Sequence, residues 1–145
     1  MNNDLKFCEE NTLEKMIKIA REAQKNAYAP YSHYPVGVCL RAEDDQLFAG
    51  CNVENVSYGL TQCAEASAIG CLITSGHKRI KEAVIIGSGE ALCTPCGACR
   101  QRLWEFALTP DILIHLCNQY KIQLTVPLNK LLPGAFDIEH LEKNK

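Results

Sequence analysis

The sequence predicts a three-layer α/β/α domain around a five-stranded mixed sheet, and three observations carry that prediction. Helical and strand periodicities follow one another as helix, two strands, helix, strand, helix, two strands and a short terminal helix. Strand–helix–strand units imply parallel crossovers, whereas the short polar link Arg41 to Asp45 favours an antiparallel hairpin. No repeat, low-complexity segment or linker interrupts the pattern, so residues 1–145 read as a single domain with one core.

Each element has its own signal. From Glu9 to Tyr28, Leu13, Met16, Ile17, Ala20, Ala23 and Ala27 recur at helical spacing, with Asn11 or Thr12 as the expected cap. Pro30 and Pro35 break that helix and frame a turn. Val36 to Leu40 and Gln46 to Ala49 read as the hairpin strands, and Gly50 to Leu60 as a polar loop. Cys63 to Ser75 is small and apolar, which suits a buried helix closed by Gly76. Ala83 to Gly87 is a continuous apolar run of the kind covered on both faces of a sheet. Cys96 to Ala107 forms the next helix. Ile112 to Leu116 and Ile122 to Val126 are the last strands, followed by a short helix over Pro127 to Leu132. The turn Pro133 to Phe136 and a loose or helical tail, Ile138 to Lys145, end the chain.

Composition excludes several classes of function. The formal net charge of -2 gives no general attraction to nucleic acid or to an anionic membrane. No window has the apolar length of a membrane span, and the polar, acidic N-terminus is neither a secretory signal nor a transit peptide. The expected location is the cytoplasm. Nine cysteines, an odd number in a chain with a full apolar complement, argue against a disulfide scaffold. Cys8, Cys39, Cys51, Cys71, Cys93 and Cys117 read as free thiols, several of them in apolar runs.

The other three cysteines carry chemistry. Cys63-Ala64-Glu65 and Pro95-Cys96-Gly97-Ala98-Cys99 each open a helix. Cys96 and Cys99 project from one helical face, and a helix start favours the thiolate form. Three soft ligands suit Zn2+ and leave one position open for water, on which Glu65 can act as acid and base without being a ligand. A closed structural site would need a fourth ligand. Cys63 has no paired cysteine, and His33, His77, His115 and His140 lie outside both motifs. The pairing is that of the zinc nucleoside and nucleobase deaminases, whose target is an amino-bearing carbon such as C4 of cytosine.

Five motifs in order make the chain resemble the small, homotetrameric, three-cysteine cytidine deaminases, from about Ala20 to Phe136. They are Ala27-Tyr28-Ala29-Pro30-Tyr31-Ser32 with Pro35-Val36-Gly37, Gly50-Cys51-Asn52-Val53-Glu54-Asn55, the two zinc motifs extending to Arg100-Gln101, and Leu131-Leu132-Pro133-Gly134-Ala135-Phe136. The resemblance implies Zn2+ on Cys63, Cys96 and Cys99, with Glu65 as the catalytic carboxylate. It further implies Asn52 and Glu54 on the ribose, Tyr34 and Ala64 at the base, and Phe136 completing a neighbouring subunit's site in a homotetramer. The implied reaction converts cytidine or deoxycytidine to the uridine nucleoside in pyrimidine salvage, with no nucleic-acid or membrane partner.

Two positions depart from the pattern. Tyr34 stands where phenylalanine is usual, and its hydroxyl needs a partner. Ala66 stands where an arginine usually follows the catalytic glutamate and hydrogen-bonds the sulfurs, so Arg100 beside Cys99 is the expected replacement. The competing readings are a related aminopyrimidine deaminase, such as one acting on blasticidin S, and a zinc-stabilised module without catalysis. The Asn52–Asn55 loop argues against the first, and the retained Glu65 against the second.

Overall fold

The computed structural model describes residues 2–142, with side chains from residue 12 onward, so the expectation for Cys8 lies outside the described side chains. The opening helix α1 spans Asn2–Lys25. It begins ahead of the expected Asn11 or Thr12 cap because neither glycine nor proline interrupts the preceding residues. It also ends earlier than Tyr28. Tyr28 is drawn into a pairing with Val53 instead, its N–H donating to Asn52 O at 3.0 Å while Glu54 N donates to Tyr28 O at 2.8 Å.

Strands β1 (Gly37–Ala42) and β2 (Leu47–Cys51) form the expected antiparallel hairpin, so Gly50 and Cys51 belong to a strand rather than to the loop. Helix α2 (Ala64–Thr74) crosses over to β3 (Ile80–Ile86), and α3 (Gly97–Phe106) leads from β3 to β4 (Leu113–Cys117). Strand β5 (Ile122–Pro127) returns antiparallel to β4, followed by the short helices α4 (Leu128–Leu131) and α5 (Ile138–Glu142). The sheet order is β2-β1-β3-β4-β5. Because β2 and β3 both run antiparallel to β1, they point the same way, and the α2 crossover spans β1. Strands β3 and β4 pair in parallel. The mixed five-stranded sheet expected from the sequence is therefore present.

Alternation along the strands divides the core between two faces. Val38, Leu40, Ile85, Ile114 and Leu116 pack with Leu72 and Leu103 under α2 and α3. Cys39, Val84, Ile86 and Cys117 pack on the other face beneath Met16 and Ala20 of α1. Burial pushes the Cys39 thiol up to about 12 and the Cys117 thiol up to about 11, as befits small hydrophobes. The eight cysteines with described side chains are all free.

Two glycines let the helical layers seat. A Cβ at Gly37 would lie 2.0 Å from Ala20 O in α1, and one at Gly50 would lie 2.3 Å from Ala68 N in α2. The second contact fixes the height of α2, and with it Cys63 and Glu65.

Candidate active site

Two helix starts meet where β2 and β3 deliver the chain to the same end of the sheet. Cys63 is the N-cap of α2 (φ -68°, ψ 154°) and Cys96 that of α3 (φ -64°, ψ 165°). Their carbonyls accept the first helical bonds, from Ser67 N and Arg100 N. Neither side chain caps its own helix, so both sulfurs are free to turn towards each other. Cys99 lies one turn into α3, and the three Sγ atoms lie within 4.8 Å of one another. Cys99 is fully buried, Cys63 half-buried and Cys96 exposed.

The electrostatics of this cluster call for a cation. Burial, reinforced by the Glu65 charge and the Cys63 sulfur, pushes the Cys99 thiol up. Burial likewise raises Cys63. At Cys96 burial acts in the same sense, but hydrogen bonds from the Cys99 N–H and from the Cys99 and Cys63 thiols outweigh it and hold this thiol low. Burial and the neighbouring negative groups thus oppose thiolate formation at Cys63 and Cys99. A dication relieves that repulsion, and three thiolates with a fourth position open are a zinc donor set. The donors fit Zn2+. Cys93 stands outside the group of converging sulfurs.

Glu65 occupies the first turn of α2 and is 4% exposed. Burial raises its carboxyl, opposed by a hydrogen bond with Cys99 and the positive charge of Arg102. It lines a cavity of about 270 Å³ together with Cys63, Cys96, Ala64, Tyr34 and Asn52. The structure thus brings together six of the residues singled out from the sequence, with Cys99 packed behind them. A larger hollow of about 600 Å³ between α1 and β2, near Lys15, Glu22 and Cys51, contains no such cluster among the described residues. Chemistry, not size, identifies the site.

Asn52 and Glu54 are held by the surrounding loops. Asn52 Oδ1 accepts from Val36 N and its Nδ2 donates to Tyr34 O, both at 2.9 Å. One acceptor and one donor of the amide remain for a ligand. Glu54 borders a neighbouring cavity that shares Ser32 and Thr61 with the first. Its Oε2 accepts from Tyr31 N at 2.9 Å and Ser32 N at 3.2 Å, and its Oε1 accepts from Ser32 Oγ. Of roughly four lone-pair positions on a carboxylate, one stays open. The Ser32 hydroxyl and these amides hold the Glu54 carboxyl below its ordinary range.

The Tyr34 hydroxyl finds its partner in the Cys93 thiol, and burial raises the phenol. The two side chains meet over Gly87, where a Cβ would fall 2.2 Å from Cys93 Cβ and 2.8 Å from the Tyr34 hydroxyl oxygen. Arg100 turns its guanidinium to backbone. Its Nε donates to Pro95 O and an Nη to Leu131 O, both at 2.8 Å, tying the start of α3 to α4. The arginine that reaches a sulfur is Arg102, with Nη1 3.9 Å from Cys99 Sγ. Phe136 does not line this cavity. Its ring is exposed and stacks on His140 at 5.1 Å, and its carbonyl accepts from Gln101 Nε2.

Sequence reasoning misses Arg102 and the pairing of Cys93 with Tyr34. The Arg102 signal is there to be read, since it stands three residues after Cys99 on a helix, the spacing at which side chains meet. The Cys93 pairing has no such signal, because a loop residue's direction is set by tertiary packing.

The model of the cytidine and deoxycytidylate deaminase zinc-binding region matches residues 10–115. A cytidine deaminase from Sporosarcina psychrophila is 39% identical, covering 89% of this chain and 94% of that protein. One from Halalkalibacterium halodurans is 35% identical, covering 88% and 96%. The crystal structure of cytidine deaminase from Burkholderia pseudomallei superposes with a TM-score of 0.79 at 37% identity, covering 85% of this chain and 98% of that one.

Proposed function

Since the chain belongs to the cytidine and deoxycytidylate deaminase family, we propose that it is a zinc-dependent cytidine deaminase, hydrolysing cytidine and deoxycytidine to uridine and deoxyuridine with release of ammonia. The observation that carries this reading is the buried Glu65 beside the three converging sulfurs, in a cavity with room for a pyrimidine ring.

The roles follow from what each residue has left to offer. Cys63, Cys96 and Cys99 hold the metal. Zinc held there would supply the Lewis acidity that makes a water nucleophilic near neutral pH. Glu65 takes the first proton of that water and passes it to ring N3 as the new C4–O bond forms. It then moves the second proton to the amino group, and the C4–N bond breaks to release ammonia. A carboxyl raised by burial suits this exchange, since it must both accept and return a proton.

Tyr34 places its ring against the base, with Ala64 forming the wall beside Glu65. The open positions on Asn52 and Glu54 complement the donors and acceptors of ribose hydroxyls. Phe136, exposed and outside the lining of its own cavity, serves a neighbouring subunit's site in a homotetramer. Val56, Tyr58 and Leu60, exposed within five residues of one another, support such an assembly, because exposed apolar patches mark interfaces. The reaction belongs to pyrimidine nucleoside salvage in the cytoplasm, where nine cysteines stay reduced.

Zinc-loaded protein mixed with cytidine should show loss of the cytidine ultraviolet signal together with ammonia release. Chelation should stop the reaction and added Zn2+ should restore it. A zinc-replete protein inert towards both cytidine and deoxycytidine would contradict the proposal.

A further inference from the structure

We propose that Arg102 is a positioning residue of the metal centre, the cation that draws charge off the cysteine cluster and so sets how acidic the site is. Three thiolates around a dication would leave one net negative charge, at a site where Cys99 and Glu65 are nearly sealed from water. Buried charge of one sign needs compensation close by. The N-termini of α2 and α3 supply part of it, as partial positive charge aimed at the sulfurs.

The remainder must come from a side chain. The residue after Glu65 is Ala66, which carries none. Arg100 is bound to the carbonyls of Pro95 and Leu131. Arg102, one helical turn beyond Cys99, extends Nη1 to 3.9 Å from Cys99 Sγ, and its charge is felt at Glu65. Among the described residues, no other lysine or arginine hydrogen-bonds a sulfur of the cluster. Arg102 is therefore the cation placed on the sulfur that is most buried.

The chemical consequence has a direction. An N–H donor on a thiolate withdraws electron density from sulfur, so the metal it holds is a stronger Lewis acid. Removing the donor makes the sulfur a better electron donor, and a metal held there would be a weaker Lewis acid. The pH at which turnover begins then rises.

Arg102 is exposed, so replacing it leaves the core intact. The test compares wild type, Arg102→Met and Arg102→Lys as zinc and as cobalt proteins. In Arg102→Met, turnover of cytidine should fall about 10- to 100-fold, the span usual for lost partners of metal ligands. The acid limb of its pH profile should move up, and the sulfur-to-cobalt charge-transfer band should move to lower energy. Arg102→Lys, which keeps the charge, should recover most of each change. An Arg102→Met protein with the wild-type band and pH profile would overturn the proposal, as would an Arg102→Lys protein no better than Arg102→Met. The kinetic arm rests on the cytidine deaminase reading, but the cobalt band needs no turnover. If wild type left cytidine untouched, that reading would fail while the band still decided the role of Arg102.

Discussion

His115 and Glu82 face each other across the parallel pair β4 and β3, with Nε2 2.6 Å from Oε1 and both side chains nearly sealed from water. The contact is the middle of a row through four strands. Glu82 also meets Arg41 Nη2 at 2.6 Å on β1, and His115 Nδ1 meets Thr125 Oγ1 at 2.8 Å on β5. The row ties β1 to the edge strand β5 through the middle of the sheet, on the face away from the active site.

Burial by itself raises the Glu82 carboxyl, but the His115 hydrogen bond and the Arg41 charge outweigh it and hold it below its usual value. A carboxylate depressed in the folded state contributes stability above its unfolded pKa and loses it as the pH falls through the folded one. Thermal stability should therefore decline as the pH drops below about 4.5, the unfolded carboxylate range. Glu82→Gln should cost about 3 kcal/mol at neutral pH and flatten that decline. Melting curves at several pH values check this, and an unchanged slope in Glu82→Gln would contradict it.

The two tight glycines should separate stability from activity. Gly37→Ala drives a methyl into the Ala20 carbonyl and should cost about 2 kcal/mol or more, with little change in turnover by the folded fraction. Gly50→Ala should cost as much and also lower turnover, because the displaced element is α2, which carries Cys63 and Glu65. Denaturant titration beside a cytidine assay distinguishes them. Equal activity in both would count against Gly50 setting the site.

Asn52→Ala should act twice. Losing its bonds to Val36 N and Tyr34 O loosens the loop, at about 1–2 kcal/mol. Losing its free donor and acceptor should raise KM for cytidine about tenfold. A variant with lowered stability but unchanged KM would remove Asn52 from the substrate contacts.

Tyr34→Phe removes the hydroxyl that meets Cys93. One neutral hydrogen bond is worth about 1 kcal/mol, so kcat/KM for cytidine should change by less than about tenfold. Discrimination between cytidine and 5-substituted cytidines should shift. Identical kinetics across that series would show that the hydroxyl does not face the substrate.

Much of this is legible in the chain. The periodicity of Leu13, Met16, Ile17 and Ala20 announces α1, the polar link after β1 announces the hairpin, and the thiol motifs open helices as their sequence implies. What escapes reading depends on tertiary contacts. Tyr28 continues a helical pattern, yet pairing with Val53 pulls it out, because loop bonds at the site outweigh local propensity. The choice between Arg100 and Arg102 rests on direction. Positions two apart on a helix point to opposite sides, so Arg100 faces α4 while Arg102 stacks over Cys99. The meeting of Tyr34 with Cys93 joins two loops and has no spacing to announce it.

The measurement with the greatest reach is the turnover of cytidine by Glu65→Gln at full zinc occupancy. The substitution keeps the side chain's size, removes only its capacity to carry a proton, and leaves the three sulfurs unaltered. The variant should therefore fold, retain stoichiometric zinc, and lose about a thousandfold or more in kcat. A zinc-replete Glu65→Gln protein deaminating cytidine at close to the wild-type rate would contradict the assignment of Glu65 as the group that carries the protons.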